Sequence, residues 1–196
     1  MGCVLLITIY LVIPGIPAIA EIGPADFLFG RRWASTAAEP AYGILPFIMT
    51  SIYGTAGAIL IGVPLGFFCA VYLAKLAKPG FRACIEAAVS LLAGIPSVVY
   101  GLVGMLVLVP GIRLLFNVPD GASLLAAIIV LAVMILPSII KVSITALEAV
   151  PKEYEEASLA LGATPVETYF RISVPAARSG IAAAVSYTHL TLPTIR

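Results

Sequence analysis

Residues 126–136 have the sequence AAIIVLAVMIL, an unbroken run of apolar side chains. A strand of a membrane barrel alternates apolar and polar residues over about ten positions, so this run predicts a helix. Asp, Glu, Lys and Arg are also absent from five long stretches, which are residues 1–20, 40–74, 87–112, 121–140 and 179–195. The first four are near or above the roughly 18–20 residues that a membrane-spanning helix needs.

The composition of the whole chain agrees with this prediction. Of the 196 residues, 61% are hydrophobic and 11% are charged, whereas soluble domains have roughly 45–50% apolar and about 25% charged residues. So few charges cannot cover a water-facing surface, which excludes an ordinary soluble enzyme and a disordered tail. The net charge of +1 excludes a basic nucleic-acid-binding protein. We therefore expect an all-α polytopic membrane protein in a lipid bilayer.

The charge-free stretches predict a single transmembrane domain over residues 1–185. We predict spans at about 1–20, 45–74, 85–110 and 123–140, a fifth at 179–185 and onward, and a loop over 141–178. Seven of the basic residues in the linkers lie in the second and fourth linkers, and three lie in the first and third. Because basic residues concentrate in cytoplasmic loops, the second and fourth linkers are expected to face the cytoplasm.

The first apolar stretch has two interpretations. Ala18, Ile19 and Ala20 resemble a signal-peptidase site, and Pro14 and Pro17 would break a helix just before it. However, no Lys or Arg precedes the apolar run, as a signal peptide requires. We therefore favour a first spanning helix over a cleaved signal peptide.

Small residues recur at every fourth position of the second predicted span. They form one stripe, which consists of Gly54, Ala58, Gly62 and Gly66. Such a stripe lets another helix approach closely. We predict close packing of this span within a helical bundle, with a bend at Pro64.

The third predicted span contains the sequence AGIPSVVYG at residues 93–101, with a proline at mid-membrane depth. Irregular backbone at that depth has to be hidden in protein or in a wet cavity. One interpretation is a discontinuous helix whose second half directs its free N–H groups at an anion. The other is a proline kink filled by neighbouring side chains.

The sequence offers no catalytic, metal or cofactor constellation. Cys3, Cys69 and Cys84 have no paired spacing and no nearby histidine. The lone histidine, His189, cannot be combined with a serine and a carboxylate into a triad. The sequence also lacks a Gly-x-x-x-x-Gly-Lys-Ser/Thr loop for nucleotide phosphates, so we expect this chain not to hydrolyse ATP.

Residues 141–178 form the one long stretch that interrupts the hydrophobic pattern. Residues 152–161 predict a short helix with an acidic first turn, where the positive end of the helix dipole favours carboxylates. Gly162 then stands where a left-handed C-terminal cap belongs.

A second short helix is expected to follow. Thr164 is its predicted N-cap, Pro165 its first residue, and Glu167 completes a capping box. We expect Pro175 to end this helix. The two helices together, residues 152–175, are called the elbow below. Anionic lipid headgroups would repel its carboxylates, so a protein partner is expected rather than lipid alone.

The elbow carries a spaced motif. It consists of Glu156-Ala157-Ser158, three residues, Gly162, nine residues and Ile172-Ser173-Val174-Pro175. This resembles the EAA loop of ABC importer permeases, with conservative departures at Ser158 and Val174. The resemblance implies that the elbow is a coupling helix that docks in a groove of a cytoplasmic ATP-binding subunit. It assigns the coupling role to Glu156, Ala157, Gly162, Ile172 and Pro175.

The resemblance covers residues 21–185 and points to the phosphate branch of the family. Three segments carry this, which are GILPFI at 43–48, LAGIPSVVYG at 92–101 and AVP at 149–151. The first of them resembles the C-type permease of the high-affinity phosphate importer more than the A-type. On the discontinuous-helix interpretation, the translocation pathway would include Gly94, Pro96, Ser97 and Tyr100.

The resemblance implies a type I ABC importer permease bundle in the plasma (inner) membrane of a bacterium or archaeon. Its partners would be the ATP-binding subunit, a second homologous permease and an extracytoplasmic phosphate-binding protein. A permease for another oxyanion or solute is an alternative, because the coupling motif does not select a substrate. A secondary carrier or channel is another, although it would need intramembrane ionisable groups or repeated halves.

The end of the sequence departs from the family. Residues 186–196 are Thr-rich, contain Pro193 and resemble translated sequencing-adapter read-through. Family members continue instead with apolar residues towards an Arg and a Gly-Glu pair, and then a sixth span. We expect residues 186–196 to be a non-native tail and the natural frame to end near Val185. A C-terminally truncated fragment without transport activity is therefore a further alternative.

Overall fold

The computed structural model describes residues 2–190, and the side chains of residues 2–186. Met1 lies outside the described residues, and so do residues 191–196, which belong to the predicted tail. The helices are α1 (Gly2–Ile22), α2 (Pro24–Phe29), α3 (Leu45–Lys75), α4 (Pro79–Gly94), α5 (Ser97–Val103), α6 (Val109–Phe116), α7 (Leu124–Glu148), α8 (Lys152–Ala160), α9 (Pro165–Thr168), α10 (Val174–Ala176) and α11 (Arg178–Leu190). Two π-helical segments, Gly104–Leu108 and Tyr169–Ser173, continue α5 and α9.

Within the described residues, four helical segments are long and apolar enough to cross a membrane. They are Gly2–Ile22, Leu45–Lys75, Ser97–Phe116 and Leu124–Glu148. The predicted all-α membrane architecture is confirmed. A further helix, α11, begins at Arg178, next to the predicted start of the fifth span.

Interior prolines do not end the helices in which they lie. α1 passes through Pro14 and Pro17, which would break it under the signal-peptide interpretation, and ends at Ile22. α7 passes through the buried Pro137 and ends at Glu148, so the helix extends beyond the predicted span of about 123–140. The bundle-facing residues that follow Pro137 are buried, and their packing outweighs the one hydrogen bond that proline removes.

The chain divides between Tyr53 and Gly54 into two compact units. The first contains α1, α2 and two short antiparallel strands, β1 (Trp33–Ala34) and β2 (Ala41–Tyr42). The rings of Trp33 and Tyr42 face each other across the strands in an edge contact, with centroids 5.7 Å apart.

A close backbone approach in the first unit requires glycine at two positions. A Cβ atom on Gly43 would overlap the backbone of Gly30. A Cβ atom on Gly30 would overlap the carbonyl oxygen of Asp26. Gly43 begins the GILPFI segment, so part of the phosphate-branch resemblance has a packing reason.

The second unit is built around the contact between α3 and α7. All four residues of the small-residue stripe, Gly54, Ala58, Gly62 and Gly66, are buried. A Cβ atom on Gly62 would lie 2.7 Å from Cδ1 of Ile135, and one on Gly66 would lie 2.8 Å from Cγ2 of Ile139. The predicted close packing is confirmed, and α7 is the helix that the stripe contacts.

Two apolar clusters surround the end of α3. The first joins α3, α4 and α7 and contains Ala70, Leu73, Val89, Ile140 and Ile144. The second contains Val71, Leu147, Val150 and Ala177, and joins α3 to both ends of the elbow region. These clusters bring the second and fourth linkers to the same end of the unit, where the elbow lies.

Candidate functional site

The turn of the elbow is fixed by local interactions. Gly162 has φ +88°, the left-handed conformation that its position predicts. The Oγ1 atom of Thr164 accepts a hydrogen bond from the N–H of Glu167 at 3.3 Å, and Oε2 of Glu167 accepts one from the N–H of Thr164 at 3.1 Å. The capping box is therefore confirmed. Hydrogen bonds from the backbone and hydroxyl of Thr164, and the charge of Arg171, hold the pKa of Glu167 below its ordinary value.

Two hydroxyls join the two helices of the elbow. The Oγ atom of Ser158 lies 2.9 Å from Oγ1 of Thr168, and Thr168 is fully buried. Ser158 stands where the family pattern has alanine. This departure introduces a hydrogen bond between α8 and α9 and so limits the angle between them.

A single carboxylate oxygen attaches the elbow to the end of α3. The Oε1 atom of Glu155 accepts hydrogen bonds from Nζ of Lys75, the last residue of α3, at 2.5 Å and from Oγ of Ser173 at 2.7 Å. The Lys75 and Glu155 side chains are only 11% and 17% exposed, and Ser173 is fully buried. Three elements, α3, α8 and the π segment Tyr169–Ser173, therefore meet at this oxygen.

The surroundings favour the ionised form of Glu155. Burial raises the pKa of its carboxyl, but the hydrogen bonds from Lys75 and Ser173 and the charges of Lys75 and Lys152 outweigh burial. The net result is a pKa below the ordinary value, because charge-assisted hydrogen bonds stabilise the carboxylate. The carboxyl group of Glu155 therefore stays ionised at neutral pH.

A second ion-pair group lies beside the first. Arg82 of α4 contacts Oε1 of Glu86 at 2.7 Å and Oε1 of Glu148, the last residue of α7, at 2.5 Å. A cleft of about 520 Å³ separates these groups from the elbow, and it is lined by side chains of both signs. Such a mixed lining does not by its charge select an anion or a cation.

The predicted coupling residues divide into an outer and an inner set. Glu156, Ala157, Gly162 and Pro175 are exposed, whereas Ile172 is half-buried. Several large apolar side chains of the elbow are exposed as well, and they are Tyr154, Leu159, Leu161, Val166 and Phe170. The elbow therefore presents one carboxylate of the motif together with an apolar surface that its own chain leaves uncovered.

The second helix of the elbow does not end at Pro175 as predicted. The helical path continues from Tyr169–Ser173 through α10 to Ala176, and Ala177 caps it. Proline at the second position of α10 fits, because the first turn of a helix does not use that N–H group. The wider turn of the preceding π segment accommodates it.

The predicted interruption of the third span is a break in the helix. α4 ends at Gly94, Ile95 and Pro96 are extended with ψ of 126° and 140°, and α5 begins at Ser97. Proline has no N–H to donate to the carbonyl of Leu92, four residues earlier. That carbonyl instead accepts hydrogen bonds from the N–H of Ile95 at 3.1 Å and from the phenol of Tyr100 at 2.8 Å.

The break itself is open. Gly94, Pro96 and Ser97 are exposed and Tyr100 is half-buried. No side-chain cap is present at the start of α5. The structure therefore brings the four predicted pathway residues together around the break, but on a surface of this chain and not in an enclosed cavity.

Sequence reasoning missed the residues that hold the elbow in place. Glu155, Ser173 and Lys75 lie in three separate segments, and Thr168 is buried against Ser158. One feature of the sequence could have indicated these contacts. Ser158 and Ser173 are hydroxyl residues within predicted helices, where a hydroxyl commonly seeks a hydrogen-bond partner. Which of the neighbouring carboxylates Glu155 and Glu156 faces inward is not encoded in the motif.

Residues 62–191 match the model of the family described as binding-protein-dependent transport system inner membrane component. The match includes the α3–α7 contact, the break and the whole elbow. The chain belongs to this family of membrane-spanning transport components.

The relatives of the chain are permeases. The probable ABC transporter permease protein YqgH of Bacillus subtilis (strain 168) is 41% identical, over 91% of this chain and 59% of that protein. The phosphate transport system permease protein PstC of Haemophilus influenzae is 35% identical, over 91% and 62%. PstC of Mesorhizobium japonicum is 34% identical, over 82% and 54%. The predicted resemblance to C-type phosphate permeases is confirmed, and the chain spans 54% to 62% of these three relatives.

A solved structure has the same fold. A chain of the MetNI methionine ABC transporter in an inward-facing conformation superposes with a TM-score of 0.56 and 24% identity, covering 74% of this chain and 66% of that one. At this identity the likeness concerns the fold alone. It confirms the predicted helix bundle of an ABC importer permease.

Proposed function

We propose that this chain is the membrane-spanning permease subunit of an ATP-driven importer of inorganic phosphate. The observation that carries the proposal is the elbow, a capped two-helix surface whose Glu156 and apolar side chains are exposed while Glu155 attaches it to α3. The relatives named PstC support phosphate as the substrate.

The elbow would receive the ATP-binding subunit on the cytoplasmic side. That partner would hydrolyse ATP, and this chain would convert the movement into inward-open and outward-open states of the bundle. A second homologous permease would complete the pathway, and an extracytoplasmic binding protein would deliver phosphate. Glu156, Ala157, Gly162, Ile172 and Pro175 remain the proposed coupling residues.

The break between α4 and α5 would lie on the pathway. Gly94, Pro96 and Ser97 are exposed on this chain, so they are free to face a second permease subunit. The uncapped N–H groups at the start of α5 are donors of the kind that an oxyanion accepts. Tyr100 would keep the break open by satisfying the carbonyl of Leu92.

A permease for another oxyanion or solute is the second candidate. It is favoured by the 41% identity to YqgH, whose name specifies no substrate. Uptake of labelled phosphate by cells that express the importer separates the two candidates. Competition by unlabelled phosphate alone supports the phosphate assignment, and competition by sulfate or an organic solute instead supports the second.

Docking of the ATP-binding subunit is tested by its retention on membranes that contain the chain. We expect Glu156→Lys to abolish retention, because it reverses the charge of the exposed motif carboxylate. Glu39→Lys makes the same charge change on an exposed residue of the loop predicted to face outward, and it is expected to retain the subunit. Retention by both variants, or by neither, would contradict the proposed docking surface.

The predicted tail is tested at the gene. Sequencing the parent locus past codon 185 is expected to give an open frame that continues with apolar residues, an Arg and a Gly-Glu pair. The permease function would then belong to a longer protein. A stop codon directly after Arg196 would favour a remnant without transport, and the transport proposal for this chain would be withdrawn.

A further inference from the structure

The contact at Glu155 differs from an ordinary surface ion pair. Exposed pairs contribute little because water screens them and two flexible side chains have to be ordered. Here both side chains are mostly buried, and the fully buried hydroxyl of Ser173 donates to the same oxygen. Removing either charge would leave the other with a poorly compensated environment.

The position of Glu155 next to Glu156 gives this contact a geometric consequence. Successive residues of an α-helix are rotated by about 100° around its axis. Glu155 is directed at Lys75, whereas its neighbour Glu156 is exposed and lines the same cleft. The inner carboxylate thereby sets the direction in which the outer one projects.

The contact also determines which span the elbow can move. The elbow follows α7 in sequence, but Glu155 attaches it to Lys75 at the end of α3. α3 in turn packs closely along α7 through the small-residue stripe.

We propose that Glu155 is a positioning residue, which fixes the orientation of the elbow on the end of α3. In this way it presents Glu156 to the partner subunit and connects that partner to α3. Only the part of this inference that concerns the partner subunit rests on the proposed function. The orientation of the elbow is a property of this chain alone and can be measured without any partner.

The first experiment measures that orientation. Spin labels are placed at Leu76, just after α3, and at Leu161 in the elbow, both of which are exposed, in a chain whose three native cysteines are replaced by alanine. Glu155→Lys and Lys75→Glu are each expected to broaden the distribution of distances between the labels in lipid vesicles. The double variant is expected to restore the narrow distribution, since the hydroxyl of Ser173 can accept as well as donate.

Arg82→Glu is the matched control. It breaks one ion pair within α4, to Glu86, and one between α4 and α7, to Glu148, and neither pair involves Glu155. We expect it to leave the distance distribution unchanged. Broadening by Arg82→Glu equal to that of Glu155→Lys, or a double variant that stays broad, would overturn the positioning role.

The second experiment measures retention of the ATP-binding subunit on the same membranes. The two single variants are expected to weaken retention about tenfold, and the double variant to recover most of it, as expected for directly coupled residues. Unchanged retention in both single variants would overturn the connection to the partner. If the unsubstituted chain retains no ATP-binding subunit, the proposed function fails, and the spin-label distances still decide the positioning role.

Discussion

Two interruptions of helical structure, one in the elbow and one in the third span, are built in opposite ways. At Gly162 the chain turns through a left-handed glycine, and a complete capping box starts the next helix. At residues 94–97 the chain passes through an extended Ile95 and Pro96, and the next helix starts without a side-chain cap. The phenol of Tyr100 bridges the second interruption by donating to the carbonyl of Leu92.

The two interruptions differ in how firmly the surrounding residues fix them. The elbow is fixed by its cap, by the Ser158–Thr168 hydrogen bond and by Glu155, so its direction is determined by this chain alone. The break is satisfied at the carbonyl of Leu92, and within the described residues no side chain caps the N–H groups at the start of α5. A surface that receives a partner is expected to be rigid, whereas a site on a pathway is expected to keep free donors.

The largest difference is expected between two glycine substitutions. Gly162→Ala should destabilise the chain by about 1–2 kcal/mol, because an alanine is strained at positive φ. Gly94→Ala is its control, since Gly94 ends α4 with ordinary helical φ and has open space around it. Thermal unfolding in detergent measures both variants. Equal effects would contradict the left-handed turn at Gly162.

The next effect concerns the caps. Thr164→Ala removes a capping box and should cost about 1 kcal/mol of stability. Ser97→Ala changes the same kind of hydroxyl at the start of the uncapped α5 and should have almost no effect. The unfolding midpoints of the two variants test this. A larger loss for Ser97→Ala would mean that the break has a cap after all.

A smaller effect is expected at the bridge across the break. Tyr100→Phe removes one of two hydrogen bonds to the carbonyl of Leu92, so it should cost about 0.5 kcal/mol. Tyr53→Phe is the control, because Tyr53 is exposed and no hydrogen bond of its hydroxyl occurs in the described part of the chain. If both variants unfold at the same temperature, the phenol of Tyr100 does not support the break.

The smallest effect is a dependence on pH that only the elbow should show. The pKa of Glu155 in the folded chain lies below its ordinary value of 4.5. The carboxylate therefore contributes its full stabilisation above pH 4.5, and this stabilisation is lost as the pH falls through the folded pKa. The difference in unfolding midpoint between the chain and Glu155→Gln should therefore shrink below about pH 4.5. The Tyr100→Phe difference involves no carboxylate and should stay constant over this range. A Glu155→Gln difference that grows on acidification would reverse the assigned sign.

Local features of the fold could be predicted where neighbouring residues decide them. The left-handed turn at Gly162 and the capping box of Thr164 and Glu167 depend on atoms within a few positions along the chain. The stripe from Gly54 to Gly66 likewise predicted a close helix contact. The ends of helices were less predictable, because α7 continues beyond Pro137 through packing against distant residues.

The amino-acid sequence by itself determined that this chain spans a membrane, and it placed a regularly spaced motif on a capped elbow. Both follow from composition and short spacing, since apolar stretches have no stable place in water and caps form between near neighbours. Only the tertiary structure decided that Glu155 contacts Lys75 while Glu156 is exposed. Glu155 and Glu156 are adjacent and have identical side chains. The rotation of α8 about its axis distinguishes them, and the packing of α3, α7 and Ser173 sets that rotation.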